Sequence, residues 1–173
     1  RVSIPNVSPE EPITLGICGS EDRVHGSIAV SDPKGRIELI EYDEKPSIWM
    51  VPMVARLCDK YDCSVVMDAK GPLASLIPRL EANCTVRALG QSEVMQAVGH
   101  HYDAITEFRC RMRHAPELDT AAEHVAKRYI GENWVWSRTA SPVDVSPLYA
   151  CTFALWGAQN ADPDPFVFVD EGD

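Results

Sequence analysis

One short stretch constrains the fold of this 173-residue chain more than any other: Val65-Val66-Met67-Asp68, followed at once by Ala69-Lys70-Gly71-Pro72. Cys63 to Met67 is apolar or small at every position, as expected of a strand covered on both faces. Gly71 and Pro72 break that strand and open a helix. A second acidic motif, Ser141-Pro142-Val143-Asp144-Val145-Ser146-Pro147-Leu148, sets a carboxylate two residues ahead of a Ser-Pro pair suited to a helix start. Carboxylates at strand ends and helix starts are what a divalent-metal site on an α/β sheet needs. Mg²⁺ and Mn²⁺ take hard oxygen ligands, and these must sit on rigid elements. The first strand breaks the pattern: Leu15-Gly16-Ile17-Cys18 ends in a thiol.

The order of elements follows from periodicity and turn chemistry. Residues 13–18, 24–30 and 36–42 give three strands joined by tight turns, Gly19-Ser20-Glu21-Asp22-Arg23 and Asp32-Pro33-Lys34-Gly35, an antiparallel meander. Ile48, Val51, Ala55, Cys58 and Tyr61 recur at helical spacing, with Pro52 expected in the first turn. The fourth strand is 63–67. A helix over 72–82, kinked at Pro78, leads to a fifth strand over 84–89. Val94, Ala97, His101, Ile105 and Phe108 mark a long helix; Leu118, Ala121, Ala122 and Val125 mark another. Trp134-Val135-Trp136 alternates like an edge hairpin strand, and a last helix runs from Ser146 to about Trp156. The expected fold is a mixed five-stranded sheet, a three-strand meander plus parallel strands, with helices on both faces.

At this length one domain is expected, over 13–157, between a Pro/Glu-rich linker (1–12) and an acidic tail (158–173). No apolar run reaches the roughly 18–20 residues of a membrane span. The start shows no apolar signal segment, and the chain reads as a piece of something longer. The net charge of −10 is uneven. Asp162, Asp164, Asp170, Glu171 and Asp173 crowd the tail, while Arg109, Arg111, Arg113 and His114 form a basic cluster, with Lys127, Arg128 and Arg138 further on. That cluster is either a solvated helix end or a phosphate-contacting surface. Six cysteines without C-x-x-C or zinc spacing point to a reducing compartment.

The element order resembles the ribonuclease H-like layout, which implies acids on the first strand, the fourth strand and the last helix; here the first strand offers Cys18 instead. Further residues narrow it: Val66-Met67-Asp68-Ala69-Lys70-Gly71-Pro72 with Ser75-Leu76-Ile77-Pro78, then His101-Tyr102-Asp103-Ala104, Trp134-Val135-Trp136 and Val143-Asp144-Val145-Ser146-Pro147-Leu148. In that order and spacing they resemble the C-terminal nuclease domain of tailed-phage terminase large subunits, particularly of phages infecting actinobacteria. The resemblance runs from about Ile13 to Gly157. It implies a metal-dependent endonuclease that cuts concatemeric double-stranded DNA in the cytoplasm of the infected host cell. The implied mechanism uses two Mg²⁺ or Mn²⁺ ions about 3.5–4 Å apart. In the full protein it implies an N-terminal ATPase domain, a portal ring and a small terminase as partners, and no membrane. No G-x-x-x-x-G-K-[ST] occurs, consistent with the ATPase lying outside this chain.

Residue by residue, Asp68 matches the family's second metal-binding acid and Asp144 its third. The first acid falls at Cys18, a soft ligand unsuited to Mg²⁺. Asp22 matches an acid often found four residues on, and Glu21 is a weaker candidate. Asp68 and Asp144 are expected to converge, with Cys18 facing them and Cys18→Asp restoring a bridging ligand. Plainer roles stand beside these: Asp68 as a strand-end cap, Asp144 as a helix-start acid, Asp22 as a turn former. His101 reads as a core histidine. His25 and His100 carry no signal. Asp103 reads as a partner for the basic cluster, and the tryptophans as hairpin packing. Two other functions compete: a catalytically silent module that binds DNA or docks on a portal, and a resolvase- or transposase-type nuclease.

Overall fold

The computed structural model describes residues 8–160. Three antiparallel strands, β1 (Thr14–Gly19), β2 (His25–Ser31) and β3 (Arg36–Glu44), form the expected meander. Its second turn is built by Asp32, whose Oδ1 accepts from the backbone N–H groups of Lys34 and Arg36 at 3.0 and 3.1 Å. Gly35 there has φ 82°, a conformation open to glycine at no steric cost. After α1 (Pro46–Tyr61) come β4 (Val65–Asp68), a short 3₁₀ turn (Ala74–Leu76), α2 (Ile77–Glu81) and β5 (Val86–Leu89). Then follow α3 (Gln91–Thr106), β6 (Arg111–Met112), α4 (Pro116–His124), the pair β7 (Lys127–Ile130) and β8 (Asn133–Trp136), and α5 (Ser146–Gln159).

The main sheet runs β5-β4-β1-β2-β3-β6, with β4 parallel to β1, β5 to β4 and β6 to β3. The mixed sheet with helices on both faces stands, with six strands in place of the expected five. The extra strand lies within the basic cluster, where Arg111 and Arg113 donate their N–H groups to Gly35 and Ile37 carbonyls, each at 2.8 Å. Two residues of backbone pairing carry no periodicity that a sequence could reveal.

Three local expectations change. Pro52 lies inside α1, which starts earlier, at Pro46. It is tolerated because position 52 is on the exposed face, where the carbonyl left without a partner meets water. Pro78 starts α2 after the 3₁₀ turn and kinks no longer helix. Phe108 falls beyond α3, with φ 57° and 77% exposure, and takes no part in the core. Trp134 and Trp136 lie on β8, which pairs only with β7 in a separate two-stranded sheet.

Strand alternation splits the core in two. Leu15, Ile17, Val65 and Met67 face α1 and α2. Cys18, Val66 and Ala29 face α5, α3 and the β7–β8 pair. Every residue of α5 from Ser146 to Leu155 is buried. No helix is long and apolar enough to cross a membrane among the described residues.

Candidate active site

Glycine determines how α5 meets the sheet. A Cβ on Gly16 would lie 2.1 Å from the Ala150 carbonyl oxygen and 2.4 Å from Ala154 N, so the backbone of α5 rests directly on β1. A Cβ on Gly157 would lie 2.6 Å from Thr14 Cγ2. Thr14 near Gly157, and Gly16 near Ala150 and Ala154, mean that α5 runs antiparallel to β1. The start of α5 therefore meets the end of β1, at Cys18. Ser27, which pairs with Cys18 across β1–β2, has its Oγ 2.9 Å from Ser146 Oγ in the first turn of α5.

Cys18 is 4% exposed, and its Sγ–H donates to the Gly19 carbonyl at 3.4 Å. Burial raises its pKa above the usual thiol value; Arg138 opposes this, and the charges of Asp68 and Asp144 add to it. The thiol is thus protonated at neutral pH. Arg138 touches Cys18 and Asp68 and lines the recess of Asp144, so it stands between the two carboxylates.

Asp68 ends β4. The register that pairs Gly16 with Val66 brings Asp68 level with Cys18 two residues later. Its Oδ1 accepts from Lys70 N–H at 2.9 Å, which turns the chain after the strand, a plain role that coexists with any other. Its Oδ2 accepts from Arg138 Nη2 at 3.1 Å.

Asp144 precedes α5. Its Oδ1 accepts from Ser146 N–H at 2.8 Å, in the manner of a helix cap. Its Oδ2 accepts from the Ser146 hydroxyl at 3.1 Å and the Tyr42 hydroxyl at 2.9 Å. Burial raises the Tyr42 pKa, and the hydrogen bond to Asp144 raises it further. Asp144 lines an open recess of about 280 Å³ with Glu21, Asp22, His25 and Arg138. Asp22 is exposed; its pKa is lowered by the hydrogen bond from Ser20 Oγ at 2.7 Å, then by Val24 N–H at 3.1 Å. The structure brings Asp22 and Asp144 to one recess and leaves Asp68 behind Arg138.

Arg138 is the residue whose position the sequence did not indicate. By sequence it belongs with the phosphate-contacting cations, yet its side chain is only 19% exposed. One nitrogen, Nη2, reaches both Asp68 Oδ2 and Cys18 Sγ, the latter at 3.8 Å. The guanidinium lies 4.2 Å from the centre of the Tyr149 ring on α5. Its loop is pinned by Ala126 N–H to Ser141 Oγ at 3.0 Å and Ala140 N–H to Ser137 Oγ at 2.9 Å.

A pair of hard cations bridged by one carboxylate does not fit this donor set. Position 18 holds a protonated thiol, and a fixed guanidinium already satisfies Asp68. Among the described residues no three His, Cys, Asp or Glu side chains come together as a metal cage. Asp144 and Asp22 keep carboxylates on the open recess, the chemistry that suits one hard cation.

The basic residues divide. Arg128 lines a second recess with Asp68, Lys70, Gln91 and Arg138. Lys127 lies over the rings of Trp134 and Tyr102, at 4.3 and 5.1 Å. Trp134 and Trp136 meet at 5.0 Å and pack within the hairpin, as expected. Arg109, Arg111 and Arg113 are elsewhere. Arg111 pairs with Arg36 at the start of β3, level with the start of β1 and opposite Cys18. Arg109 pairs with Glu107 at 2.6 Å and Arg113 with Glu38 at 3.0 Å, while Asp103 is exposed on α3. His101 is a core histidine, its Nδ1 2.7 Å from Thr152 Oγ1. His100 Nε2 contacts Gln159 at 2.6 Å. His25 stacks on Tyr42 at 5.0 Å on the wall of the recess. The acidic residues from Asp162 onward lie outside the described residues.

No family model matches the sequence, and no curated protein does. Solved structures do match. The large terminase nuclease of thermophilic phage G20c superposes with a TM-score of 0.66 at 15% identity, over 88% of this chain and 85% of that one. The same nuclease has been solved with bound magnesium and with bound cobalt. The Thermus phage P74-26 large terminase nuclease domain gives 0.66 at 12% identity, over 94% and 88%. The HK97 bacteriophage large terminase gives 0.70 at 12% identity, over 89% of this chain but 40% of that longer one. The chain has the ribonuclease H-like fold of large terminase nuclease domains.

Proposed function

We propose that this chain is the nuclease domain of a phage DNA-packaging terminase, cutting concatemeric double-stranded DNA slowly because Cys18 replaces the carboxylate expected between Asp68 and Asp144. One observation carries the reading. Arg138 touches Cys18 and Asp68 and also lines the recess that holds Asp144 and Asp22, at the ends of β1 and β4 and the start of α5, in a fold shared with terminase nucleases. The G20c nuclease binds magnesium and cobalt, and the activity proposed here depends on Mg²⁺ or Mn²⁺. Asp144 and Asp22 would hold the cation, which would supply charge stabilisation to the phosphodiester. Arg128 and Lys70, beside Asp68, give the DNA backbone cationic contacts. Because the match spans 40% of the HK97 protein, the proposal includes a separate ATPase domain in the whole protein, with portal and small-terminase partners in the host cytoplasm. Residues 13–157 would be the nuclease, and the acidic tail a docking element.

The test is relaxation of supercoiled plasmid with Mg²⁺, Mn²⁺ or chelator. Weak cutting is expected, faster with Mn²⁺, which binds mixed donor sets more tightly and is less strict about geometry. It should be lost in Asp144→Asn. Cutting that survives both chelator and Asp144→Asn would refute the reading. The Arg138–Asp68 ion pair favours a second reading, a silent DNA-binding or portal-docking module, which predicts DNA retention without cleavage in either metal.

A further inference from the structure

We infer that Arg138 is the resident cation of this centre: its guanidinium takes the place of one of the two metal ions, so the chain binds no more than one divalent ion. The inference rests on the terminase-nuclease reading for the role of the centre, and on this chain's own geometry for the rest. An ion shared by the first and second acids would lie between positions 18 and 68. Arg138 Nη2 lies there, touching Asp68 Oδ2 at 3.1 Å and Cys18 Sγ at 3.8 Å. It is no surface side chain that has wandered in. The Tyr149 ring lies beneath it at 4.2 Å, its Nε is buried without a partner among the described residues, and Ser137 and Ser141 hold its loop.

Charge points the same way. The guanidinium already neutralises Asp68, the carboxylate that a metal ion between positions 18 and 68 would need. A second dication would have to approach a fixed guanidinium with no bridging anion between them, a direct repulsion at short range. The two changes are matched: with a thiol at 18, Asp68 would lack a cation unless the protein provided one, and an ionised carboxylate that is 14% exposed demands a partner. Arg138 supplies it.

The experiment counts Mn²⁺ ions bound per chain by electron paramagnetic resonance of the free ion, with melting curves to certify folding. The unmodified chain should bind at most one. Cys18→Asp alone should gain none, because the new carboxylate would pair with Arg138. Cys18→Asp with Arg138→Gln should bind one ion more than the unmodified chain, and Arg138→Met serves as a second neutral replacement if the glutamine variant does not fold. Cys18→Asp with Arg138→Lys, which keeps the charge, should gain none. Two ions on the unmodified chain, a gain in Cys18→Asp alone, or no gain in a folded double variant with Gln or Met would overturn the inference. Plasmid cutting is scored separately. If the ion counts hold but no variant cuts DNA, the nuclease reading fails and the role of Arg138 stands. Two ions together with cutting would be the reverse.

Discussion

The Tyr42 hydroxyl donates to Asp144 Oδ2 at 2.9 Å, tying β3 to the start of α5 across 102 positions of sequence. The contact orients a carboxylate that also accepts two hydrogen bonds from Ser146. Tyr42→Phe removes one of three donors and should lower stability by about 1 kcal/mol, since the site is partly open to water. The midpoint of urea unfolding measures it; an unchanged midpoint would mean that the hydroxyl is equally well served by solvent.

Gly16→Ala should be far more harmful. The added methyl would lie 2.1 Å from a backbone carbonyl of α5, and no side-chain rotation can relieve a clash with main chain. A loss of about 3 kcal/mol or more is expected, at the upper end of overpacking costs. Because α5 carries Asp144 to the site, plasmid cutting should fall with stability. A soluble variant melting at the original temperature would contradict the antiparallel contact of α5 with β1.

His101 should make the fold sensitive to acid. Its pKa is pushed down to about 3, first by burial and then by His100, so the imidazole is neutral in the folded state. In the unfolded chain it takes up a proton near pH 6.5. Between these values the unfolded state binds more protons. Its contribution is therefore complete above about pH 6.5 and is lost as pH falls toward 3, by at most about 1.4 kcal/mol per unit. Urea unfolding at stepped pH should show this slope, and His101→Gln should flatten it. Parallel slopes for the two proteins would assign the acid sensitivity elsewhere.

Thiol labelling tests the description of Cys18. A buried, protonated sulfur that donates to Gly19 should resist a disulfide reagent such as DTNB until the protein unfolds. Cys110 and Cys151, whose pKa values burial also raises, should resist with it. Cys63 is only half-buried and its pKa is lowered by a hydrogen bond with Cys58, so it should react first. Mass mapping of labelled peptides gives the order, and early labelling of Cys18 would mean that the centre opens.

What the sequence disclosed follows the range of the forces involved. Alternation placed Gly16 and Cys18 on one face and Leu15 and Ile17 on the other, and that is how they divide between the two cores. The motifs ending in Asp68 and preceding Asp144 were legible because each ties a carboxylate to a local turn or helix start. Arg138 was not. Its partners lie 70 and 120 positions away, and it sits in a loop without period, so only the closed fold defines its role. Likewise β6 exists only because β3 offers it carbonyls, and Phe108, apolar and correctly spaced for α3, turns outward at a left-handed residue.

The burial of α5 bears on when the domain can form. This helix touches β1, β2, β3, β4, α3 and α4, yet it is the last element of the described chain. During synthesis the sheet emerges first, and Ala29, Ile37 and Val66 have no helix to cover them until residues beyond 145 leave the ribosome. Asp144 travels with that same late segment. Closing the core and assembling the centre are therefore one event, and a chain interrupted before its final helix carries neither a finished interior nor a complete set of carboxylates.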